Sequence, residues 1–278
     1  MTDPMARKAK RLYVGRSLLA PLVSWRWNRF IRDFHRGCHA SEPVARVLLK
    51  PLRSYVHRQY RPRRRLALLL EHYDWFNRTF APSFLKAFCS NEELEIVELV
   101  GRKGAAYKLY LAASVVATMQ REGEISIYLA KSPHDTKLCR SALCYSRALG
   151  HDAMILGGLQ GPLTQYKREV IDATRDLNGL RPKDAVLLAV RAFGQALGVE
   201  RLHAVCDAHH VLNRLQDKGK LASYDSYWLE RGGKPRGPFG FEFGPLAPLE
   251  STADKREARK IAIVNGVNAF VNKWRRIA

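Results

Sequence analysis

The sequence lacks the short patterns by which common enzyme classes are recognised. It contains no GxSxG nucleophile elbow, no Walker A phosphate loop, no GxGxxG dinucleotide motif and no HExxH zinc motif. Its five cysteines are scattered, and none stands in a CxxC pair. Serine hydrolysis, phosphoryl transfer, dinucleotide redox chemistry and a bound metal are therefore disfavoured, and the cysteine pattern predicts a reduced, cytoplasmic protein.

Long apolar runs are also absent. No segment reaches the ~18 consecutive apolar residues that a membrane-spanning helix needs. The apolar run Leu18–Val23 near the N-terminus is short, and no small-residue cleavage site follows it. The sequence therefore predicts neither a transmembrane helix nor a signal peptide.

Acidic residues are scarce at both ends of the chain. Residues 1–65 hold 17 Lys and Arg against 3 Asp and Glu, and residues 252–278 hold 7 against 2. Residues 66–251 are almost balanced, with 23 against 21. We expect a near-neutral core with two cationic appendages, which either bind a polyanion, such as an anionic membrane surface or RNA, or are simply solvated.

Hydrophobic periodicity divides the chain into a basic, aromatic helical region at 1–90, a mixed α/β core domain at 91–250 and a basic C-terminal helix at 251–278. In the first region arginines alternate with apolar residues at Trp25, Trp27, Phe30, Ile31 and Phe34. This face either docks on the core domain or lies on a membrane surface.

The core domain is predicted to contain an antiparallel meander, followed by helices that alternate with strands. Strands are expected at Leu94–Leu99, Tyr107–Val116, Glu124–Ala130, Lys137–Arg147, Ala153–Leu156, Leu202–Cys206 and Phe239–Phe243, with a helix as the alternative for Lys137–Arg147. Helices are expected at Leu163–Leu177 and Asp184–Leu197, and the second is apolar almost all round, which predicts a buried central helix.

A glycine-rich stretch, AMILGGLQGP at 153–162, is the first candidate site. It predicts a strand, a turn at Gly157 and Gly158, and a helix N-terminus after Gly161. Such a turn lets backbone and the Gln160 side chain contact an acyl donor, a nucleotide or a phosphate, or it is a tight turn without a ligand. Arg181 and Lys183, at the start of the buried helix, either bind a pyrophosphate or carboxylate or are surface charges.

Three further residues are candidates for proton handling. His210 follows a strand as the second of two adjacent histidines, and it is either a general base or a backbone-bonded ring. Tyr224 and Asp225 lie in the segment YDSYW, where a tyrosine could protonate a leaving group or the cluster could only anchor a helix. The histidine pair has no third ligand at metal spacing, so no metal residue is assigned.

These pieces, in this order, resemble the VirK/YbjX family of proteobacterial proteins. The resemblance covers most of 60–278 and is carried by the segments ILGGLQGP at 155–162, ATRDL at 173–177, NGLRPK at 178–183, Ala204-Val205 with His210, YDSYW at 224–228 and Gly232-Gly233. It implies a cytoplasmic or inner-surface bacterial protein, and members of the family are linked to virulence, surface-protein display and resistance to cationic peptides. It supplies no established reaction and therefore no catalytic residue.

A more distant likeness is to GNAT-type acyltransferases, in which a meander leads to a strand, a pyrophosphate-binding turn and a central helix, and then to another strand, a helix and a closing strand. We therefore expect an α/β (α+β) fold with a GNAT-like, mostly antiparallel central sheet flanked by helices. The extra helix Leu163–Leu177 and the absence of the usual acyl-CoA loop signature depart from that pattern. Function does not follow from fold alone.

Two functional hypotheses follow. The first is an acyl- or aminoacyl-transferase acting on a peptide, protein or lipid-linked amine, with an acyl-CoA or another acyl donor. The second is a non-catalytic cationic accessory factor that binds an anionic membrane or RNA and supports virulence or surface-protein expression, from the cytoplasm or at the periphery of the inner membrane.

Overall fold

The computed structural model describes residues 4–133, 136–147, 150–162, 164–212, 223–237, 239–250 and 253–276. The α-helices are α1 Pro4–Leu19, α2 Pro21–Gly37, α3 Ala45–Leu48, α4 Pro62–Thr79, α5 Pro82–Cys89, α6 Lys167–Asp176, α7 Pro182–Ala196, α8 Tyr224–Glu230 and α9 Lys255–Trp274. The strands are β1 Leu94–Val100, β2 Ala106–Ala113, β3 Ile125–Lys131, β4 Thr136–Ser146, β5 Ala153–Gln160, β6 Arg201–Val205, β7 Lys234–Arg236 and β8 Gly240–Phe243.

All eight strands form one sheet in the order β1-β2-β3-β4-β5-β6-β8-β7. Every neighbouring pair is antiparallel except β5 and β6, which run parallel because α6 and α7 connect them. The expected mixed α/β class, with a large, mostly antiparallel sheet flanked by helices, is confirmed. The edge strand β7 was missed, because Pro235 in a three-residue strand gives no periodic signal and is tolerated only at an edge.

The parallel pair separates before β5 ends. Its register runs from Ala153 opposite Arg201 to Leu156 opposite Ala204, whereas β5 stays paired with β4 as far as Gln160. Helix α8 bonds to both strands where they separate, because the Tyr224 hydroxyl accepts from Leu159 N–H and the indole N–H of Trp228 donates to Val205 O. The gap between the two strands is therefore closed by aromatic side chains.

The predicted glycine turn is wrong: Gly157 and Gly158 lie inside β5, which continues through Gln160. A Cβ on Gly157 would lie 2.0 Å from the Glu122 carbonyl oxygen, and one on Gly158 would lie 2.2 Å from Glu122 Oε1. The two glycines thus make room for Glu122 against the strand, a steric reason that needs no ligand. The following helix is also shorter than predicted, since α6 begins at Lys167 and Leu163 lies outside the described residues.

The N-terminal helices pack on the sheet through one face only. Trp27 and Ile31 of α2 are fully buried in a cluster that also contains Leu69 and Tyr73 of α4, while Trp25 is 61% exposed. The aromatic run therefore divides between a docked face and a solvent-facing one. Among the described residues, no helix combines the length and apolar character needed to cross a bilayer.

The C-terminal helix α9 completes the core. Ile263, Val267, Phe270 and Val271 are buried in the same apolar cluster as α5, α7 and one face of the sheet. Trp274 at its end packs on Phe84 of α5, with ring centroids 5.6 Å apart. Basic side chains lie along the outer side, so the helix contributes to the core and to the cationic surface.

Candidate functional site

A buried carboxylate that belongs to no sequence motif lies at the centre of the predicted site residues. Glu122 precedes β3 and is 2% exposed. Its Oε1 accepts from the amide nitrogen of Gln160 at 2.7 Å and lies 2.7 Å from Nε2 of His210. We call Glu122, Gln160, His210 and Tyr224 the Glu122 cluster, because a chain of side-chain contacts joins them.

The hydrogen bonds of His210 assign its tautomer. Nδ1 accepts from Leu212 N–H at 3.4 Å, so Nε2 carries the hydrogen that is donated to Glu122. A carboxylate on one ring nitrogen stabilises the imidazolium that forms when the other nitrogen takes a proton. In this arrangement Leu212 N–H occupies the lone pair of Nδ1, so His210 could take a proton there only after that hydrogen bond is released.

Tyr224 joins this pair to the point where β5 and β6 separate. Its hydroxyl accepts from Leu159 N–H at 3.1 Å, and its ring lies 5.1 Å from the His210 ring and 5.5 Å from the parallel Trp228 ring. Burial is the main cause that raises the pKa of Tyr224, and the Glu122 charge adds to it. The phenol therefore keeps its proton through neutral pH and can act only as a neutral donor or acceptor.

The two predicted cations at the start of α7 have different surroundings. Lys183 Nζ lies 3.9 Å from the ring centroid of Tyr227 and 5.4 Å from that of Tyr224, so it is held over two aromatic faces. Arg181 is exposed at the N-cap position, where its carbonyl accepts from Ala185 N–H. Lys183 thus belongs beside the Glu122 cluster, and Arg181 lies at its solvent side.

Asp225 lies in a capping arrangement next to the cluster. Its Oδ1 accepts from Asp207 N–H at 2.7 Å, while the Asp207 carboxylate accepts from Tyr224 N–H and from the Ser223 hydroxyl. These bonds fasten the segment after β6 to the first turn of α8. Asp225 therefore orients Tyr224 through the backbone and makes no described bond to Glu122 or His210.

The three glycines of the predicted donor-binding stretch have two kinds of surroundings. Gly157 and Gly158 are buried against Glu122, whereas a Cβ added to Gly161 would meet no atom within 4 Å. Gly161 follows Gln160 at the exposed end of β5. Of the predicted donor-binding residues, the structure therefore brings Gln160, Gly161 and Lys183 to the side of the cluster nearest solvent.

Sequence reasoning missed Glu122 because a single glutamate has no spacing pattern. One signal was available: Glu122 and Glu124 flank Gly123 immediately before a strand that is buried at nearly every position. Charges at the border of an all-buried strand must find partners inside the fold. That reasoning would have identified both glutamates as centres of buried networks.

A second group of polar residues was also missed. The rings of Tyr60, His209 and Phe239 surround His57, with centroids within 5.6 Å of it. They border a cleft of about 500 Å³ that is lined by His57, Gln59, Tyr60, Arg64, His203, Arg236, Gly237 and Phe239. Burial lowers the pKa of His203 to about 4, so this ring is neutral at physiological pH.

Comparisons with known proteins agree with the resemblance drawn from the sequence. Residues 4–255 match the family described as "Protein of unknown function (DUF535)". The uncharacterized protein YbjX of Escherichia coli (strain K12) is 26% identical over 232 residues, which cover 82% of this chain and 69% of that protein. No solved structure matches. The VirK/YbjX resemblance is thereby confirmed, and the chain belongs to the DUF535 family.

Proposed function

We propose that this protein is an acyl- or aminoacyl-transferase that modifies an amine of a peptide, a protein or a lipid. One observation carries the proposal: the Tyr224 hydroxyl accepts from Leu159 N–H where β5 and β6 stop pairing, with the Glu122–His210 pair beside it. A backbone N–H, a neutral phenol and a carboxylate-supported imidazole are the groups that acyl transfer to an amine requires.

The order of elements supports the same reaction class. A meander, β1 to β4, leads to β5, to the central helix α7, to β6 parallel to β5, to α8 and to the closing strand β8. This is the sequence of parts in the GNAT-type arrangement, with α6 as the departure. On this proposal the donor would enter where the parallel strands β5 and β6 separate, beside Tyr224.

Donor binding would use the solvent side of the Glu122 cluster. Lys183, held beside the cluster, favours a phosphate or pyrophosphate, and Arg181 adds a second cation at the surface. The acyl carbonyl oxygen would replace the Tyr224 hydroxyl as the acceptor of Leu159 N–H, which then stabilises the oxyanion. Tyr224 would move by a side-chain rotation.

The proton transfers balance across the two side chains. The amine nitrogen attacks the thioester or ester carbonyl, so that a C–N bond forms and the C–S or C–O bond breaks. Once the amine displaces Leu212 N–H from Nδ1, His210 takes the amine proton there, and Glu122 stabilises the resulting imidazolium through Nε2. The imidazolium of His210 then gives this proton to the departing thiolate or alkoxide, while the Tyr224 hydroxyl keeps its own proton and donates a hydrogen bond to the leaving group.

The test first measures the binding of coenzyme A thioesters of increasing chain length. It then measures turnover as the release of free thiol in the presence of a polyamine or peptide amine. Tyr224→Phe should reduce release about 100-fold or more with donor affinity retained. Arg181→Ala with Lys183→Ala should weaken donor binding. Arg175→Ala, an exposed cation of α6, is the matched control. If neither a thioester nor an aminoacyl-tRNA binds to the protein, the proposal is refuted.

A second candidate function, attachment to an anionic membrane surface, is favoured by a different observation. Leu18, Leu19, Leu22 and Trp25 are all more than 60% exposed and lie together around the junction of α1 and α2. Arginines flank this apolar corner in a region whose net charge is strongly positive. Apolar side chains ringed by cations suit the interface of an anionic bilayer better than a solvated surface.

Vesicle sedimentation tests this attachment. The full chain should bind vesicles rich in phosphatidylglycerol, bind phosphatidylcholine vesicles poorly, and lose binding at high salt. Leu19→Ser with Leu22→Ser should abolish it, whereas Val100→Ser with Ile171→Ser, two exposed apolar residues elsewhere, should not. Equal loss in both pairs, or tighter binding to RNA than to lipid, would contradict the proposal.

A further inference from the structure

The sheet gathers two histidines and a glutamate from three separate parts of the chain. His203 on β6 is the register partner of Glu242 on β8, so their side chains are neighbours on the same face of the sheet. His151 lies in the segment before β5, the strand on the other side of β6. One ligand atom from each of the three residues lies within 4.8 Å of the other two.

The distance between the two histidines is close to that of neighbouring donors on one metal ion, and the Glu242 oxygen would move inward to complete the set. Nε2 of His151 lies 3.0 Å from Nε2 of His203. In a tetrahedral zinc site with Zn–N distances of about 2.0–2.1 Å, neighbouring donors are separated by about 3.3 Å. Two imidazoles and one carboxylate form the donor set of zinc sites that keep a position open for water or substrate.

The surroundings of Glu242 are those of a metal-binding carboxylate. Arg201 pairs with Oε1 at 3.2 Å, and Arg236 pairs with Oε2 at 2.8 Å. Each carboxylate oxygen has a second lone pair, so both arginine contacts are compatible with coordination. Hydrogen bonds of this kind orient ligating carboxylates in metal sites.

An independent sign of a ligand comes from His203 itself. The ring is 1% exposed, and its Nδ1 has no hydrogen-bond partner among the described residues. An unpaired polar atom in the interior costs about 1–3 kcal/mol. Because Nε2 is the atom that faces His151, the metal ion would bind Nε2, and the unpaired Nδ1 would need a separate partner, such as a ligand bound in the cleft.

We propose that His151, His203 and Glu242 bind a zinc ion, with the coordination completed by water or an anionic oxygen ligand. His203 also lines the cleft of about 500 Å³, through which such a ligand can approach. Arg64 and Arg236 line the same cleft and favour an anion there. The site shares no residue with the Glu122 cluster and does not depend on acyl transfer.

The test uses the full chain after treatment with a chelator and removal of that chelator by dialysis. Calorimetric titration should give one Zn²⁺ per chain with micromolar or tighter affinity. His151→Ala and Glu242→Gln should each weaken binding at least about 10-fold. His35→Ala removes another partly exposed histidine and should change nothing. Co²⁺ in place of Zn²⁺ should give the intense visible absorption of a four- or five-coordinate ion.

Thermal unfolding separates metal loss from misfolding. Zn²⁺ should raise the unfolding temperature of the wild type and of His35→Ala, because a ligand that binds the native state stabilises it. It should leave the temperature of His151→Ala unchanged, although that variant alone should unfold near the wild-type temperature. Binding that is weaker than millimolar, or that survives both substitutions at the triad, would overturn the proposal.

Discussion

Glu122 and Glu124 lie two residues apart, and both are almost fully buried, yet their partners differ in kind. Glu124 pairs with Lys50 at 2.6 Å and accepts from the hydroxyls of Tyr55 and Tyr73, also at 2.6 Å. The described hydrogen bonds of Glu122 come from an amide and an imidazole, neither of which is a permanent cation. We call the first group the Glu124 cluster.

If the proposed function is right, this difference separates a structural network from a reactive one. In the Glu124 cluster a fixed positive charge and two strong donors satisfy the carboxylate, and the pKa values of both tyrosines are raised well above normal by burial and by Glu124. The two phenols therefore keep their protons near neutral pH. In the Glu122 cluster the described partners of the carboxylate are an amide and an imidazole, so no fixed cation neutralises it.

The largest effect should come from removing the cation of the Glu124 cluster. Lys50→Met leaves a buried carboxylate without its partner and should lower the free energy of unfolding by about 3–5 kcal/mol. Denaturant unfolding measures this. The double variant Lys50→Met with Glu124→Leu should recover most of the loss, and failure to recover would show that packing rather than charge is responsible. Residues 1–60 include Lys50, so deleting them would also leave the Glu124 carboxylate unpaired. The deletion is therefore a poor test of what the N-terminal region does.

A pH effect of similar size should come from His72, which packs beside the Glu124 cluster. Burial is the main cause that lowers its pKa to about 4, against 6.5 for an ordinary histidine. The unfolded chain therefore binds more protons between these values, so stability is complete above about pH 6.5 and falls as the pH drops towards 4. The shift corresponds to about 3 kcal/mol.

The variant His72→Asn tests whether this histidine causes the loss of stability at low pH. His72 Nδ1 accepts from Tyr145 N–H at 3.1 Å, and the amide oxygen of His72→Asn can replace that acceptor. Unfolding curves at pH 7 and pH 4.5 should differ less for this variant than for the wild type. An unchanged pH dependence would place the acid sensitivity elsewhere, for example at His203.

A smaller effect should distinguish the glycines of β5. Gly158→Ala places a methyl group against Glu122 Oε1 and should cost about 1–3 kcal/mol by overpacking. It should also disturb the Glu122 cluster. Gly161→Ala meets open space and should change stability by no more than about 0.5 kcal/mol. Equal tolerance of both substitutions in thermal unfolding would show that the close packing of Glu122 on β5 is wrong.

The sequence predicted the sheet better than the sites. Alternating and all-apolar runs identified β1 to β6 and the buried helix α7 within a few residues, because the pattern of buried positions in a strand or helix repeats over neighbouring residues. The turn at Gly157 was mispredicted because the group that requires glycine there, Glu122, is 35 positions earlier in the chain. His210, Tyr224 and Gln160 were identified, but their common partner and the grouping of His151 with Glu242 depend on strand pairing that no local pattern encodes.

One pair of isosteric variants tests the central claim, that the Glu122 cluster is reactive and the Glu124 cluster is structural. Glu122→Gln keeps an oxygen that can accept from Gln160 and His210 but cannot stabilise an imidazolium. It should retain thioester binding and most of its stability while losing about 100-fold or more in amine-dependent thiol release. Glu124→Gln should lose stability and, at a temperature where it is folded, keep its rate. Unimpaired release by Glu122→Gln, or the same pattern in both variants, would contradict the account.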